Sequence, residues 1–139
     1  MPREQIIDAA RQARSIWRIS SGVSEQTRAA QAVTRSWQDS VRAPGVETEA
    51  RVSADSNEAI DVLELPVAFE MKVSANNPHH EFFKDVFKII AYNRNHASRI
   101  EELVFLTDPG AAVRLQRGLG RVAAETARTL GFEVTVVAL

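Results

Sequence analysis

Between the breakers Ala43-Pro44-Gly45 and Asn76-Asn77-Pro78, three β-patterned runs follow one another with hardly any chain between them. Val46–Ser53 alternates Val46, Thr48, Ala50 and Val52 against Glu47, Glu49, Arg51 and Ser53. Glu58–Leu63 is again β-like, and Val67–Val73 sets Val67, Phe69, Met71 and Val73 against Ala68, Glu70 and Lys72. Ala54–Asn57 (ADSN) has turn chemistry, and Leu65-Pro66 leaves room only for a tight return. Parallel neighbours need a crossover of about a dozen residues or more, and neither connection is that long. The runs are therefore predicted to form an antiparallel meander, around which the rest of the chain has to fold.

Helical periodicity lies on both sides. Pro2–Ile19 carries Ile6, Ala10, Ala13 and Trp17 along one stripe and ends at Ser20-Ser21-Gly22; Ser24 is an N-cap candidate for a second helix, roughly Glu25–Val41, with Ala29/Ala30, Val33, Trp37 and Val41 as its stripe. After the meander, a helix from about His79 to Asn95 is predicted to bury Phe82, Phe83, Val86, Phe87 and Ile90, with Lys84 and Lys88 one turn apart nearer its edge. Leu103–Thr107 is a short apolar strand, Asp108-Pro109 caps a long helix over about Ala111–Leu130, and Phe132–Ala138 is the last strand after Gly131. A strand–helix–strand run implies a parallel crossover. The expected fold class is α/β: one domain over residues 1–139, a mixed central sheet flanked by helices on both faces, with residues 1–22 an extra N-terminal helix and 23–139 the core.

The absence of cysteine excludes a disulfide framework and a thiolate zinc site. The N-terminus carries charges where a signal peptide needs an apolar run, and no apolar stretch approaches a membrane span, so a cytoplasmic location is expected. The formal net charge is only −1, but nine of the acids fall in residues 43–85 against three basic residues there, while the flanking segments are net basic. That pattern suits a cation-binding centre between phosphate-attracting arms. Fourteen of the basic residues are Arg; the three Lys are Lys72, Lys84 and Lys88, all in or just after the last run of the meander. Lys is a compact charge whose proton its neighbours can tune, unlike Arg.

Glu70 and Lys72, two apart on one strand, point the same way with α-carbons roughly 7 Å apart. Asp61, nine positions before Glu70, comes beside it if the two runs pair as a hairpin. Two converging carboxylates repel unless a cation or a proton intervenes, and a neighbouring ammonium suits a phosphate.

An acid on the second strand of a meander, then Glu70-Met71-Lys72 on the third, then helix, strand, helix and strand, resembles the PD-(D/E)XK, or restriction-endonuclease-like, nuclease superfamily. The likeness covers roughly Ser24 to Leu139 as an αβββαβ core, although Ile60 stands where a proline is expected before the first acid. It implies Mg²⁺-dependent hydrolysis of DNA phosphodiester bonds, with Mn²⁺ as a substitute. Asp61, Glu70 and the Met71 backbone carbonyl would hold the metal, and Lys72 would assist the attacking water. Many members carry an acid on the helix before the meander, for which Glu25 is the candidate. Lys84 and Lys88 are candidate contacts to backbone phosphates of DNA. A chain of this size has one active site, so cutting both strands implies a homodimer, with the Trp-bearing N-terminal helices as candidate interface. The same fold also serves as a non-catalytic DNA-binding or assembly module.

Other features have plainer readings. His79-His80 marks a helix start, because adjacent helical residues diverge by about 100°. Gly118-Leu119-Gly120 lies inside a helical pattern with no strand immediately before it, which favours close packing over nucleotide binding. Arg114, Arg117, Arg121 and Arg128 recur at helical spacing as a solvated face, and no serine sits in a recognisable nucleophile motif.

Overall fold

A computed structural model describes residues 1–20, 26–74 and 77–139. Helices α1 (Arg3–Ser20) and α2 (Gln26–Ser40) precede the meander of β1 (Glu47–Arg51), β2 (Ala59–Glu64) and β3 (Val67–Lys72). Then come α3 (Pro78–Asn95), β4 (Glu102–Thr107), α4 (Pro109–Leu115), α5 (Gly118–Thr129) and β5 (Glu133–Ala138). The five strands form one sheet in the order β1-β2-β3-β4-β5. The meander pairs are antiparallel, and β3–β4 and β4–β5 are parallel. The fold is thus α/β with a mixed sheet, as the run of β patterns followed by a strand–helix–strand unit predicts.

β4 is buried from Leu103 to Thr107, as an apolar strand between two parallel neighbours must be. Its alternation feeds two cores. Val104 and Leu106, with Val62, Phe69 and Met71, pack under α1 and α2; Leu103 and Phe105, with Ala68, pack under α3, α4 and α5. Phe82 of α3 meets Phe105 edge-on at 5.2 Å between ring centroids, and the Trp37 indole donates to the Ile6 carbonyl at 3.0 Å, tying α2 to α1.

Three expectations need correction. The N-terminal helix does not stand outside the core: Ile6, Ile7, Ala10 and Ala13 are all buried against the sheet face, so this stripe is already used within the chain and the basis for making it a dimer surface is removed. The α3 stripe is rotated from the expected one. Phe82, Asp85, Val86, Ile89 and Tyr92 are buried, whereas Phe87 is 68% exposed. Two apolar stripes compete on this helix, and the one holding Ile89 and Tyr92 faces the sheet. The long C-terminal helix is two helices, α4 and α5, broken at Gln116 and Arg117. Gly118 has φ +54°, and a Cβ on Gly120 would lie 2.1 Å from the Leu115 carbonyl oxygen. The Gly-Leu-Gly run therefore serves a tight reversal against α4 rather than the packing of one helix on the sheet.

Candidate active site

The centre forms where β2 and β3 part. Their pairing runs through Glu64–Val67, Leu63–Ala68 and Val62–Phe69. One step further, side chains take over the ladder: the Asp61 amide donates to Glu70 Oε1 at 3.3 Å, and the Met71 amide donates to Asp61 Oδ2 at 3.0 Å. A strand residue turns its N–H and C=O to the same side, so the Met71 carbonyl faces Asp61 as well. Alternation along β2 breaks here. Ile60 and Leu63 both join the core under α3, while Val62 joins the other, and this change of step turns Asp61 towards Glu70.

β1 and α2 hold the break open. Glu49, between the paired Thr48–Val62 and Ala50–Ile60 positions, has φ +52°, a left-handed conformation uncommon for a residue with a side chain. Gln38 of α2 donates to the Asp61 carbonyl at 2.9 Å and to Glu49 Oε1 at 3.2 Å, so a buried amide replaces the missing ladder bond.

α3 closes the centre from the other side. Lys88 Nζ lies 3.3 and 3.4 Å from the two Glu70 carboxylate oxygens and 3.1 Å from Asp85 Oδ1. The side-chain exposures are 12% for Lys88, 3% for Glu70 and 7% for Asp85. Two carboxyl groups thus pair with one largely buried ammonium, and the charge of a third, Asp61, acts on it as well.

The electrostatics follow from that imbalance. Burial pushes the Glu70 carboxyl well above its usual range, and the nearby Asp61 and Asp85 push it further. Asp61 is half-buried with its carboxyl turned inward, and this desolvation raises it against the opposing pull of the Met71 amide and Lys88. Burial lifts Asp85 to about 7 despite Lys88 beside it. Burial is also the largest influence on Lys88 and disfavours its charge, but Glu70, Asp85 and Asp61 together outweigh it and hold the ammonium more firmly protonated than usual. The Asp61 and Glu70 carboxyls are thus set beside each other, Glu70 Oε1 on the Asp61 amide and Asp61 Oδ2 on the Met71 amide, and two such converging carboxyls call for a shared proton or a cation.

A cleft of about 440 Å³ opens over Asp61, Glu70 and Met71, walled by Gln31 and Thr34 of α2 and Glu81 of α3. Lys72 lines the same cleft and is half-buried; its backbone carbonyl accepts from Thr107 Oγ1 at 2.8 Å. Among the described residues Lys72 makes no ion pair, so its ammonium is the one near the centre with no carboxylate partner.

The structure therefore brings Asp61, Glu70, Met71 and Lys72 together. Lys88, expected at a helix edge, lies inside the centre, whereas Lys84 is turned outward and pairs with Glu58 at 3.6 Å with both side chains about half exposed. Glu25 lies outside the described residues. His79 packs against Phe83 and lines a separate groove, and His80 is exposed. Among the described residues no group of three or more His, Cys, Asp or Glu is disposed to hold a metal ion.

Sequence reasoning missed Asp85, Gln38 and Glu49. Asp85 left a signal: it is an acid in the stripe Phe82, Asp85, Ile89, Tyr92, three residues before a lysine. Glu49 falls opposite Asp61 once the meander is numbered in register. Gln38 gave no sign beyond its place next to Trp37.

Fold and site together define an α/β protein with a buried carboxylate–lysine centre at a fork in its sheet. No protein family, no curated protein and no solved structure matches this chain.

Proposed function

We propose that this protein is a Mg²⁺-dependent DNA endonuclease of the PD-(D/E)XK kind. The observation that carries the reading is the convergence of Asp61 and Glu70, bonded across the fork through the Asp61 and Met71 amides, in a cleft that Lys72 also lines. The meander, with β4 parallel to β3 after an intervening helix, supports it as well.

The donor set fits a small hard cation. Asp61, Glu70 and the Met71 carbonyl offer oxygen only, two protein carboxylates with the remainder from water being a usual Mg²⁺ arrangement. Both carboxyls hold protons more tightly than usual, which marks a centre short of positive charge. When bound, Mg²⁺ or Mn²⁺ supplies Lewis acidity and a water of lowered pKa. Asp61 and Glu70 hold the ion, and the Asp61 bond to the Met71 amide fixes the orientation of its carboxylate. Lys72 offsets charge developing on the scissile phosphate and orients the attacking water. One centre per chain makes a homodimer the simplest route to cutting both strands; its interface is sought on surfaces other than the buried α1 stripe.

The test is nicking of supercoiled plasmid with Mg²⁺, with Mn²⁺ and with chelator, beside Glu70→Gln and Lys72→Ala proteins. Metal-dependent nicking that both variants lose is the expected result. A second reading, a non-catalytic DNA-binding or assembly module, is favoured by Lys88 already neutralising Glu70. Metal-independent DNA binding with no cutting of supercoiled, single-stranded or branched DNA would select it.

A further inference from the structure

Lys88 stands between two cavities. It lines the cleft over Asp61 and Glu70, and it also lines a groove of about 510 Å³ on the outer side of α3, bounded by Asp55, Glu58 and the exposed Phe87. Within the centre its ammonium is nearly equidistant from both Glu70 oxygens and is anchored to Asp85. A divalent ion on Glu70 and an ammonium bridging both oxygens of the same carboxylate would be like charges within a few ångströms, in surroundings where water screens them little. Lysine, a point charge on a flexible four-carbon stem, can leave without moving the backbone. The outer groove, with two further carboxylates on its rim, is a place for it to go.

We propose that Lys88 is a placeholder cation: its ammonium neutralises Glu70 while the centre holds no metal, and a divalent ion binds by displacing it towards the outer groove. This rests on the reading of Asp61 and Glu70 as a metal site. Asp85 is the positioning residue that keeps the ammonium seated beside Glu70. The exchange protects two buried carboxyls from standing together uncompensated, and it sets metal affinity lower than the bare carboxylates would give.

The experiment reads metal binding directly, without DNA. Mn²⁺ is titrated into the wild-type protein, Lys88→Met and Lys88→Arg, with bound ion followed by calorimetry and electron paramagnetic resonance. Removing the competitor is expected to tighten Mn²⁺ binding by an ordinary site-coupling factor, roughly 5- to 150-fold. Lys88→Arg keeps the charge and is expected to bind no tighter than wild type. If wild type binds Mn²⁺ and Lys88→Met binds no tighter, the placeholder role is overturned and the metal site stands. If neither binds, both are overturned. Should Lys88→Met fail to fold, amine acetylation of the wild-type protein decides: Mn²⁺ is expected to speed labelling of Lys88 while leaving Lys84 unchanged, and an unchanged Lys88 rate overturns the proposal.

Discussion

Two buried ionic clusters in this molecule differ in charge balance. On the α1 side, Arg14 Nη2 lies 2.7 Å from Asp108 Oδ1, and Nη1 lies 3.4 Å from the Leu139 carbonyl. Asp108 in turn caps α4, its Oδ2 accepting from the Gly110 amide at 3.1 Å. That cluster pairs one guanidinium with one carboxylate, and it fastens α1 to the end of β4. At the fork of β2 and β3, three carboxyls share Lys88. A pair balanced in charge needs no further ion, whereas an unbalanced cluster shifts its proton affinities until a cation or a proton makes up the difference.

The largest expected effect separates the clusters by activity. Glu70→Gln keeps the shape and removes the charge, and plasmid nicking is expected to fall by about 100- to 1,000-fold or more, the scale for losing a group that stabilises transition-state charge. Arg14→Met is expected to leave nicking per folded molecule unchanged. Equal losses in both would show that the clusters act as one unit.

Stability reverses the ranking. Arg14 is 9% exposed and Asp108 29%, so breaking their pair leaves a carboxylate that water still partly reaches. Arg14→Met is expected to cost about 2 kcal/mol, below the 3–5 typical when one partner of a fully buried pair is removed. Urea unfolding measures it, and the loss should be the same with and without Mg²⁺. A loss that Mg²⁺ repairs would link this pair to the proposed metal site.

The pH dependence sharpens the contrast. Asp85 is raised from its ordinary 3.8 to about 7, so its contribution to stability is fully present below the ordinary value and is lost as the pH rises through the folded one. Asp61 and Glu70 shift in the same direction. Lys88 is raised too, and its contribution persists below the ordinary lysine value and fades only at higher pH, outside this window. Metal-free protein should therefore lose stability between about pH 4 and 7, by about 1.4 kcal/mol per pH unit for each proton retained only in the fold. Thermal unfolding at about pH 5 and 8 in chelator checks it. Asp85→Asn should flatten the slope, and a wild-type protein equally stable at both pH values would contradict the charge imbalance.

How far the sequence disclosed these clusters follows from the range of the interactions. Strand alternation and short connections are local, so the meander, and with it the approach of Asp61 to Glu70, can be read by counting residues. The rotation of α3 is not local. Phe82, Phe83, Val86, Phe87, Ile89, Ile90 and Tyr92 offer more apolar surface than one face can bury, and only the sheet beneath decides that Asp85 and Lys88 turn inward while Phe87 turns out. The change of step at Asp61 escapes alternation for a similar reason, because it depends on Gln38 arriving from α2 and on the left-handed backbone of Glu49. Arg14 and Asp108, ninety-four residues apart, meet only because α1 lies back across the sheet.

The smallest expected effect comes from the same helix as the buried lysine. Lys84 is one turn before Lys88 and has a carboxylate partner, Glu58, at 3.6 Å, but the two side chains are 46% and 50% exposed. Water screens that pair and holding two long side chains costs entropy, so Lys84→Ala should change stability by no more than about 0.5 kcal/mol and shift little with pH or Mg²⁺. If Lys84 touches substrate phosphate, its loss appears instead as weaker DNA binding whose salt dependence drops by about one counter-ion, with cleavage of bound DNA intact. Such a split would assign the two lysines different tasks: Lys84 to the DNA backbone, and Lys88 to the carboxylates. A Lys84→Ala protein as impaired in metal binding as one lacking Glu70 would mean that solvent exposure does not separate these lysines, and the distinction between balanced and unbalanced charge would have to rest on Arg14 alone.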